Sequence, residues 1–446
     1  MRKLCARSRH FRASNNLASL KASVRAGENG KSDPFFFLFQ LSFILMPTSY
    51  RMTFWQQIPR PIIGLSPMDG VTDASFRFIT AKYGAPDVTF TEFVNVETAF
   101  YAPGTLIRDM TYSDLERPVI AQIYGHTPEA FYKVAQIVCE LGFDGLDINM
   151  GCPAKKVAAK GSGAALIRNP SLARSIIRIV KRAIADWRAG QTLTDLQIRP
   201  ELIKQVKIVN QIRFGPDWSP VRRSIPVSVK TRIGYDRIVI EDWIRILLDE
   251  NLAAITLHGR TLQQQYRGCA DWEAIARAAG IAKTSKTAIL GNGDLRDMKD
   301  IYRRVHETGV DGVLLGRAAQ GDPWIFRSKE QLKSALARNE PMESGQPPVP
   351  LAQRLDAVLE HAAHFEERWG PAGFPAMRKH LAWYCRCIPN AAALRAQVVR
   401  LNGFAELVCC LERYVSGLKL DSGPAGVDFC GTISHAAAAP YPPFRA

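Results

Sequence analysis

From residue 60 onward the chain alternates two kinds of stretch. Short, nearly unbroken apolar runs are followed by longer segments whose apolar positions recur every three to four residues. The runs are IIGLSPM (62–68), VTFTEF (88–93), PVIAQIYG (118–125), GLDINMG (145–151), PVSVKTR (226–232), AITLHGR (254–260), TAILGNGD (287–294) and GVLLGRA (312–318). Runs this short and this continuously apolar read as strands buried on both faces, the pattern of a parallel sheet. The segments between them, such as PEAFYKVAQIVCELG (128–142) and LRDMKDIYRRVHETG (295–309), read as amphipathic helices. Eight strand–helix units in succession predict a (β/α)8 TIM barrel, an architecture of about 250 residues, within 53–338. A doubly wound open sheet is the alternative pattern, and the count of eight disfavours it.

The alternation breaks in four places. Residues 191–225, rich in Pro, Trp and basic groups (GPDWSPVRRS), make one unit oversized and read as a partly helical surface insertion. Residues 339–350 (NEPMESGQPPVP) read as a proline-rich linker. Residues 351–420 carry helical periodicity only, so a smaller all-helical C-terminal domain is expected there. Beyond 421 Gly, Ala and Pro dominate, and a disordered tail is expected. At the other end, residues 1–52 form a basic leader without periodicity, expected to be disordered or to reflect a start codon placed ahead of Met46 or Met52. A targeting peptide is the other reading of that leader. Its apolar stretch FFFLFQLSFIL (35–45) is too short to span a bilayer as a helix, so no membrane partner is expected.

Charge narrows the choice of partner. Lys and Arg number 58 against 42 Asp and Glu, a net charge of +16. The leader holds nine basic and two acidic residues, so +9 remains on the rest of the chain. A surplus of that size favours a polyanion. Nine scattered cysteines argue against a disulfide framework and for a reducing cytoplasm. Cys385 and Cys387 are one residue apart, and Cys409 and Cys410 are adjacent; neither spacing is that of a zinc site, so no metal is expected. His361 and His364 share a helix face without a third ligand and read as solvated surface.

In a barrel of this type the chemistry sits at the C-terminal ends of the strands. Those ends carry Ser66-Pro67-Met68, Glu92, Gln122, Asn149 with Cys152, Lys230 with Arg232, His258 with Arg260, Asn292-Gly293-Asp294 and Gly316-Arg317. The glycines at the tips of the last two runs let backbone N–H groups approach an anion, where such barrels commonly bind phosphate. Lys230 is placed to sit against an electron-rich ring such as a flavin, and Gln122 to hydrogen-bond its polar edge.

The segments PMDGVTDASFR, TEFV, DINMGCPAKKV, GSGAALI, VSVKTRIG, LHGRT, NGD and GRAAQGDPWIF together resemble the tRNA-dihydrouridine synthases, in particular the bacterial B-type branch. The resemblance extends over residues 60–420 and includes GPAGFPAMRKHLAWY in the helical region. It implies an oxidoreductase that binds FMN tightly at the barrel mouth, uses NADPH or NADH as reductant, and reduces the C5=C6 bond of a D-loop uridine in tRNA. Carried over residue by residue, it places Pro67 and Met68 under the flavin, and Gln122 and Lys230 on its ring. His258, Asn292, Gly293, Asp294, Gly316 and Arg317 then surround the ribityl chain and phosphate. Cys152 becomes the proton donor to C5, with hydride passing from FMN N5 to C6, and Asn149 positions the uracil. Ser66 and Gly291 replace alanines usual in the family, and the 191–225 insertion is a larger departure.

The tRNA itself is expected to meet basic residues. Lys155, Lys156, Lys160, Arg232 and Arg260 are expected to rim the mouth. Arg378, Lys379 and Arg386 are interleaved with Trp383 and Tyr384 on the helical region, a combination suited to RNA. A pocket thiol with a pKa near 8.5 is mostly protonated at neutral pH and can donate. Two other classes share some of these features. One is a flavin reductase for free pyrimidines or enones, which needs no basic helical appendage. The other is a tRNA-binding protein with an inactive barrel, which needs neither Cys152 nor Lys230.

Overall fold

The computed structural model describes residues 53–342, 348–386 and 388–422. The leader, the tail beyond Ser422 and part of the linker lie outside these residues. All eight apolar runs form strands: β1 (Ile62–Leu65), β2 (Thr89–Asn95), β3 (Val119–Tyr124), β4 (Gly145–Met150), β5 (Val227–Gly234), β6 (Ala254–Thr261), β7 (Ala288–Asn292) and β8 (Gly312–Leu315). They pair in parallel in the order β1-β8-β7-β6-β5-β4-β3-β2. The Asp87 N–H donates to the Ile63 carbonyl at 2.9 Å, and the Leu65 N–H to the Val88 carbonyl at 3.0 Å. These bonds join β1 to the residues entering β2 and close the sheet into a barrel.

The interior follows from the apolar runs. Ile62, Val88, Phe90, Ile120, Leu290 and Leu314 form a buried cluster with Trp55, which rises from a short helix (Phe54–Gln57). Gly64 leaves the room that Val88 and Leu314 fill. A second, larger cluster lies between the strands and the surrounding helices. Those helices are α1 (Ala74–Gly84), α2 (Pro103–Asp109), α3 (Pro128–Glu140), α4 (Pro170–Ala189), α5 (Pro200–Phe214), α6 (Ile240–Leu248), α7 (Trp272–Ala282), α8 (Met298–Thr308) and α9 (Lys329–Arg338). Asp73, Asn169, Asp271 and Asp297 cap α1, α4, α7 and α8 by accepting a first-turn N–H. The insertion contributes α5, which packs on α2.

The helical region comprises α10 (Leu351–Trp369), α11 (Arg378–Tyr384), α12 (Ala391–Val398) and α13 (Phe404–Ser422), with an apolar core of its own. It docks on α1. The reading of His361 and His364 as solvated surface is overturned here, since they are 0% and 7% exposed. The apolar stripe of α10 runs through both, and they act as aromatic packing groups. His361 lies 6.0 Å from the Phe76 ring and His364 4.2 Å from the Phe78 ring, both on α1. His380 of α11 joins them, 5.6 Å from Phe76. Burial pulls His361 down to about 3, so it packs as a neutral ring.

Gly321, after β8, fixes a further contact with α11. Its φ is +75°, and a Cβ there would overlap the Trp383 carbonyl. Gly321→Ala therefore combines a left-handed backbone with a clash against main chain. It is expected to destabilise the protein by about 3 kcal/mol or more. Urea unfolding monitored by tryptophan fluorescence checks this, and a midpoint equal to wild type contradicts it.

Candidate active site

Asp147 and Asn149 alternate along β4, so both side chains point into the barrel near its C-terminal mouth. Asp147 is fully buried and accepts from the Ser228 hydroxyl of β5 at 2.6 Å and from Gln122 Nε2 of β3 at 2.8 Å. Gln122 Oε1 in turn accepts from Asn149 Nδ2 at 3.0 Å. Asn149 Oδ1 accepts the N–H of Gly151 at 3.0 Å and of Cys152 at 2.9 Å. One continuous hydrogen-bond chain thus runs from the barrel interior to the backbone of Cys152. Burial lifts Asp147 to about 6, against its hydrogen bonds to Ser228 and Gln122 and the charge of Lys230.

Cys152 is 8% exposed. Its carbonyl accepts from Ala164 N–H at 3.2 Å, and Gly163, at φ +61°, brings the following turn so close that a Cβ would lie 3.1 Å from that of Cys152. Burial pushes the thiol above its ordinary value. The Ala154 N–H and the charges of Arg232 and Lys230 oppose this, while Asp69 adds to it. Cys152 is therefore held as a thiol at neutral pH.

Lys230 stands beside Asn149 in the β4–β5 register. Its Nζ donates to Asn292 Oδ1 at 3.2 Å, while Asn292 Nδ2 donates to the Leu314 carbonyl at 2.8 Å. Burial, then Arg232, pull Lys230 down to about 8, against the attraction of Asp147 and Cys152. Burial and the positive charges of Lys230, Arg232, Arg260 and Arg317 hold His258 far below its usual value, so it is neutral. Asp294 lies between two guanidiniums, Arg260 at 2.7 Å and Arg317 at 3.0 Å. It holds these two cations together at the mouth.

Arg232 and Arg260 were expected on the rim. Both are instead 2% exposed and engaged by backbone. Arg232 donates to the carbonyls of Gly151, Thr261 and Gln265, and Arg260 to those of Arg267 and Gly268. Strand pleat turns their stems inward, so they peg the mouth loops together. Gln122 is likewise fully buried, its amide shared between Asp147 and Asn149. Lys155 and Lys156, on a short helix (Lys155–Ala158), and Lys160 just after it are exposed. Arg378 caps the end of the α12–α13 connection through the Leu401 carbonyl at 2.8 Å and Asn402 Oδ1 at 2.7 Å. Lys379 reaches the Gly70 carbonyl in the loop that carries Pro67 and Met68.

Met68 approaches the strand-end glycine of β8, since a Cβ on Gly316 would lie 3.4 Å from its sulfur. Gly293, at φ +128°, leaves room for His258 and Ala270. Two further acidic groups take part in the site, Asp147 and Glu92. Asp147 anchors the hydrogen-bond chain, and its position two residues before Asn149 on one strand face was the available signal. Glu92 accepts the Gly70 N–H at 2.5 Å and is pushed up to about 8 by burial and by Asp73. Among the described residues no group of three or more His, Cys, Asp or Glu is placed to hold a metal ion, and no helix is long and apolar enough to cross a membrane.

Comparison with known proteins adds four findings. The family model described as "Dihydrouridine synthase (Dus)" matches residues 64–215 and 218–414. A Synechocystis protein named probable tRNA-dihydrouridine synthase 1 is 31% identical over 358 residues, 80% of this chain and 86% of that one. A Staphylococcus aureus protein named probable tRNA-dihydrouridine synthase is 30% identical over 378 residues, 83% of this chain and 98% of that one. Among solved structures, DHODH from Eimeria tenella aligns at 14% identity with a TM-score of 0.40, covering 63% of this chain and 82% of that one.

Two outcomes are expected of this geometry. Asn149→Ala frees the N–H groups of Gly151 and Cys152, so the loop opens more readily. Alkylation of Cys152, followed by peptide mass spectrometry, should be about tenfold faster, equivalent to losing about 1.4 kcal/mol of loop stability; an unchanged rate contradicts the assigned role. For Lys230, the folded value of about 8 lies below the unfolded value of 10.5. Between those limits the unfolded chain binds more protons, so this group makes the ligand-free protein more stable as pH rises from 8 to 10.5. Lys230→Met should remove that increment in urea titrations, and an identical pH dependence would show that the lysine is not desolvated.

Proposed function

The chain belongs to the dihydrouridine synthase family, and from that premise we propose that it reduces the C5=C6 bond of a D-loop uridine in tRNA, with FMN as cofactor and NADPH or NADH as reductant. The observation that carries this reading is the pairing of a protonated, backbone-anchored thiol at Cys152 with the desolvated ammonium of Lys230 on the adjacent strand.

The residues at the mouth suit FMN in their chemistry. Lys230 has a single hydrogen-bond acceptor, Asn292, among the described residues and so has N–H groups left for the electron-rich side of the ring. Pro67 and Met68 offer an apolar surface, and Gln122 one remaining amide hydrogen. Arg317, with a side chain 61% exposed and turned by Asp294, is available to a phosphate, with Gly293, Gly316, His258 and Asn292 around it. When bound and reduced, FMN supplies the hydride that adds to C6 of the uracil.

Cys152 provides the proton for C5. Holding the thiol above its ordinary pKa keeps that proton in place through neutral pH, and the thiolate left behind is stabilised by the charges of Arg232 and Lys230. Asn149 keeps the donor loop fixed, and its remaining amide hydrogen faces the task of orienting the base. A uracil must leave its stack to enter this mouth. The exposed Lys155, Lys156 and Lys160 beside Cys152 meet the flanking phosphates, with Arg378 and Lys379 presented by the helical region.

Cys152→Ala is expected to retain flavin, read from its visible absorbance, while dihydrouridine formation falls by about two to four orders of magnitude. Mass spectrometry of the tRNA gives the product. Loss of flavin in parallel with activity would remove the proton-donor role. Equal turnover of free uridine and tRNA would instead move the protein to the small-molecule reductases.

A further inference from the structure

The insertion that makes one barrel unit oversized has no part in the chemistry above. Its helix α5 is anchored at the end of the barrel away from the mouth. Asn210 Nδ2 donates to the Glu140 carbonyl at 2.8 Å, and Arg213 donates to the Leu141 carbonyl at 3.1 Å while covering the Tyr112 ring at 3.8 Å. Glu140 and Leu141 close α3 just before β4 begins, so the C-terminal half of α5 lies at the strands' starting end. Its first turn, at Pro200, consequently faces the mouth side, alongside α2.

There the insertion meets Tyr101. This residue ends the turn that leaves β2 and is 77% exposed. Of the large hydrophobic residues exposed among the described ones, only Tyr101 and Tyr266 are aromatic. The Arg199 guanidinium, directly before α5, lies over the Tyr101 ring at 5.8 Å from its centroid. The turn is tied back to the candidate site in short steps. Glu97 accepts the N–H groups of His126 and Thr127 at 2.7 and 3.0 Å, and His126 Nδ1 lies 3.1 Å from the hydroxyl of Ser162, next to the Gly163 that touches Cys152. The insertion as a whole carries six basic residues against three acidic, and Lys204 and Lys207 are exposed on α5.

We infer that Tyr101 and Arg199 form an RNA-binding platform on the mouth rim, on which a nucleotide outside the active-site pocket stacks while the guanidinium meets its phosphate. The inference rests on the tRNA reading of the site and extends it to a surface that the insertion builds. An open tyrosine face accepts a base of any identity, and an adjacent arginine adds charge and a planar donor fork.

The test uses the full-length holoenzyme and a labelled unmodified tRNA transcript, with anisotropy read across a salt series. Tyr101→Ala is expected to raise Kd about tenfold. Arg199→Ala is expected to raise it several-fold and to reduce the slope of log Kd against log salt by about 1. Both side chains are exposed, so thermal midpoints should stay at the wild-type value. Lys286→Glu, in the exposed loop entering β7 at the far end of the barrel, is the control for net charge and should stay within twofold. Variants at 101 and 199 that bind within twofold of wild type overturn the platform, as does a control that weakens binding as much as they do. Wild-type protein that fails to bind tRNA defeats the functional reading itself, a result distinct from either.

Discussion

A buried carboxylate sets the geometry on which the candidate site depends. Asp147 sits inside the barrel where an unpartnered charge would be expelled, and it stays because Ser228, Gln122 and the nearby Lys230 share it. Each partner serves a second purpose. Gln122, oriented by Asp147, presents its oxygen to Asn149, and Asn149 so oriented presents its own oxygen to the loop amides at 151 and 152. The position of the thiol is thereby referred to the rigid ladder of β3, β4 and β5. A chain of buried hydrogen bonds with every link filled is stiffer than any one contact in it.

The same region is strongly positive before any ligand enters. Arg232 and Arg260 are locked inward by five backbone carbonyls between them, and Lys230 has lost part of its affinity for protons. His258 responds by staying neutral. Two carboxylates balance the group in part, Asp147 beside Lys230 and Asp294 at one edge, where it holds Arg260 and Arg317 together. An anionic ligand relieves this imbalance, and a cationic one worsens it. The field of the pocket therefore favours anions over cations independently of any one contact.

Much of this could be read from the chain because buried parallel strands leave so plain a trace. All eight apolar runs are strands, and the residues at their C-terminal ends do converge. What the pattern could not convey is direction. Arg232 and Arg260 lie at strand ends like Lys230, yet the pleat and the carbonyls of neighbouring loops draw them inward, information held in register and not in residue type. His361 and His364 misled for a related reason. Their i, i+3 spacing marked a common face correctly, but a neutral imidazole packs like an aromatic ring once Phe76 and Phe78 stand opposite. Asp147 went unassigned because an acid within an apolar strand has no meaning until its partners on β3 and β5 are known.

The helical region enters this scheme as part of the frame of the site. The loop bearing Pro67 and Met68 turns at Gly70, whose N–H is held by Glu92 of β2 and whose carbonyl is held by Lys379 of α11. One peptide segment is thus gripped from the barrel and from the helical region at once. Gly321 admits the backbone of α11 against the loop after β8, and the buried histidines seat α10 and α11 on α1. Shifting the helical region would withdraw Lys379 and leave Glu92, already desolvated, as the sole polar anchor of Gly70 on this side. Whatever large ligand presses on the helical region is therefore mechanically linked to the loop flanking the candidate cofactor pocket, through a single lysine rather than through the apolar core.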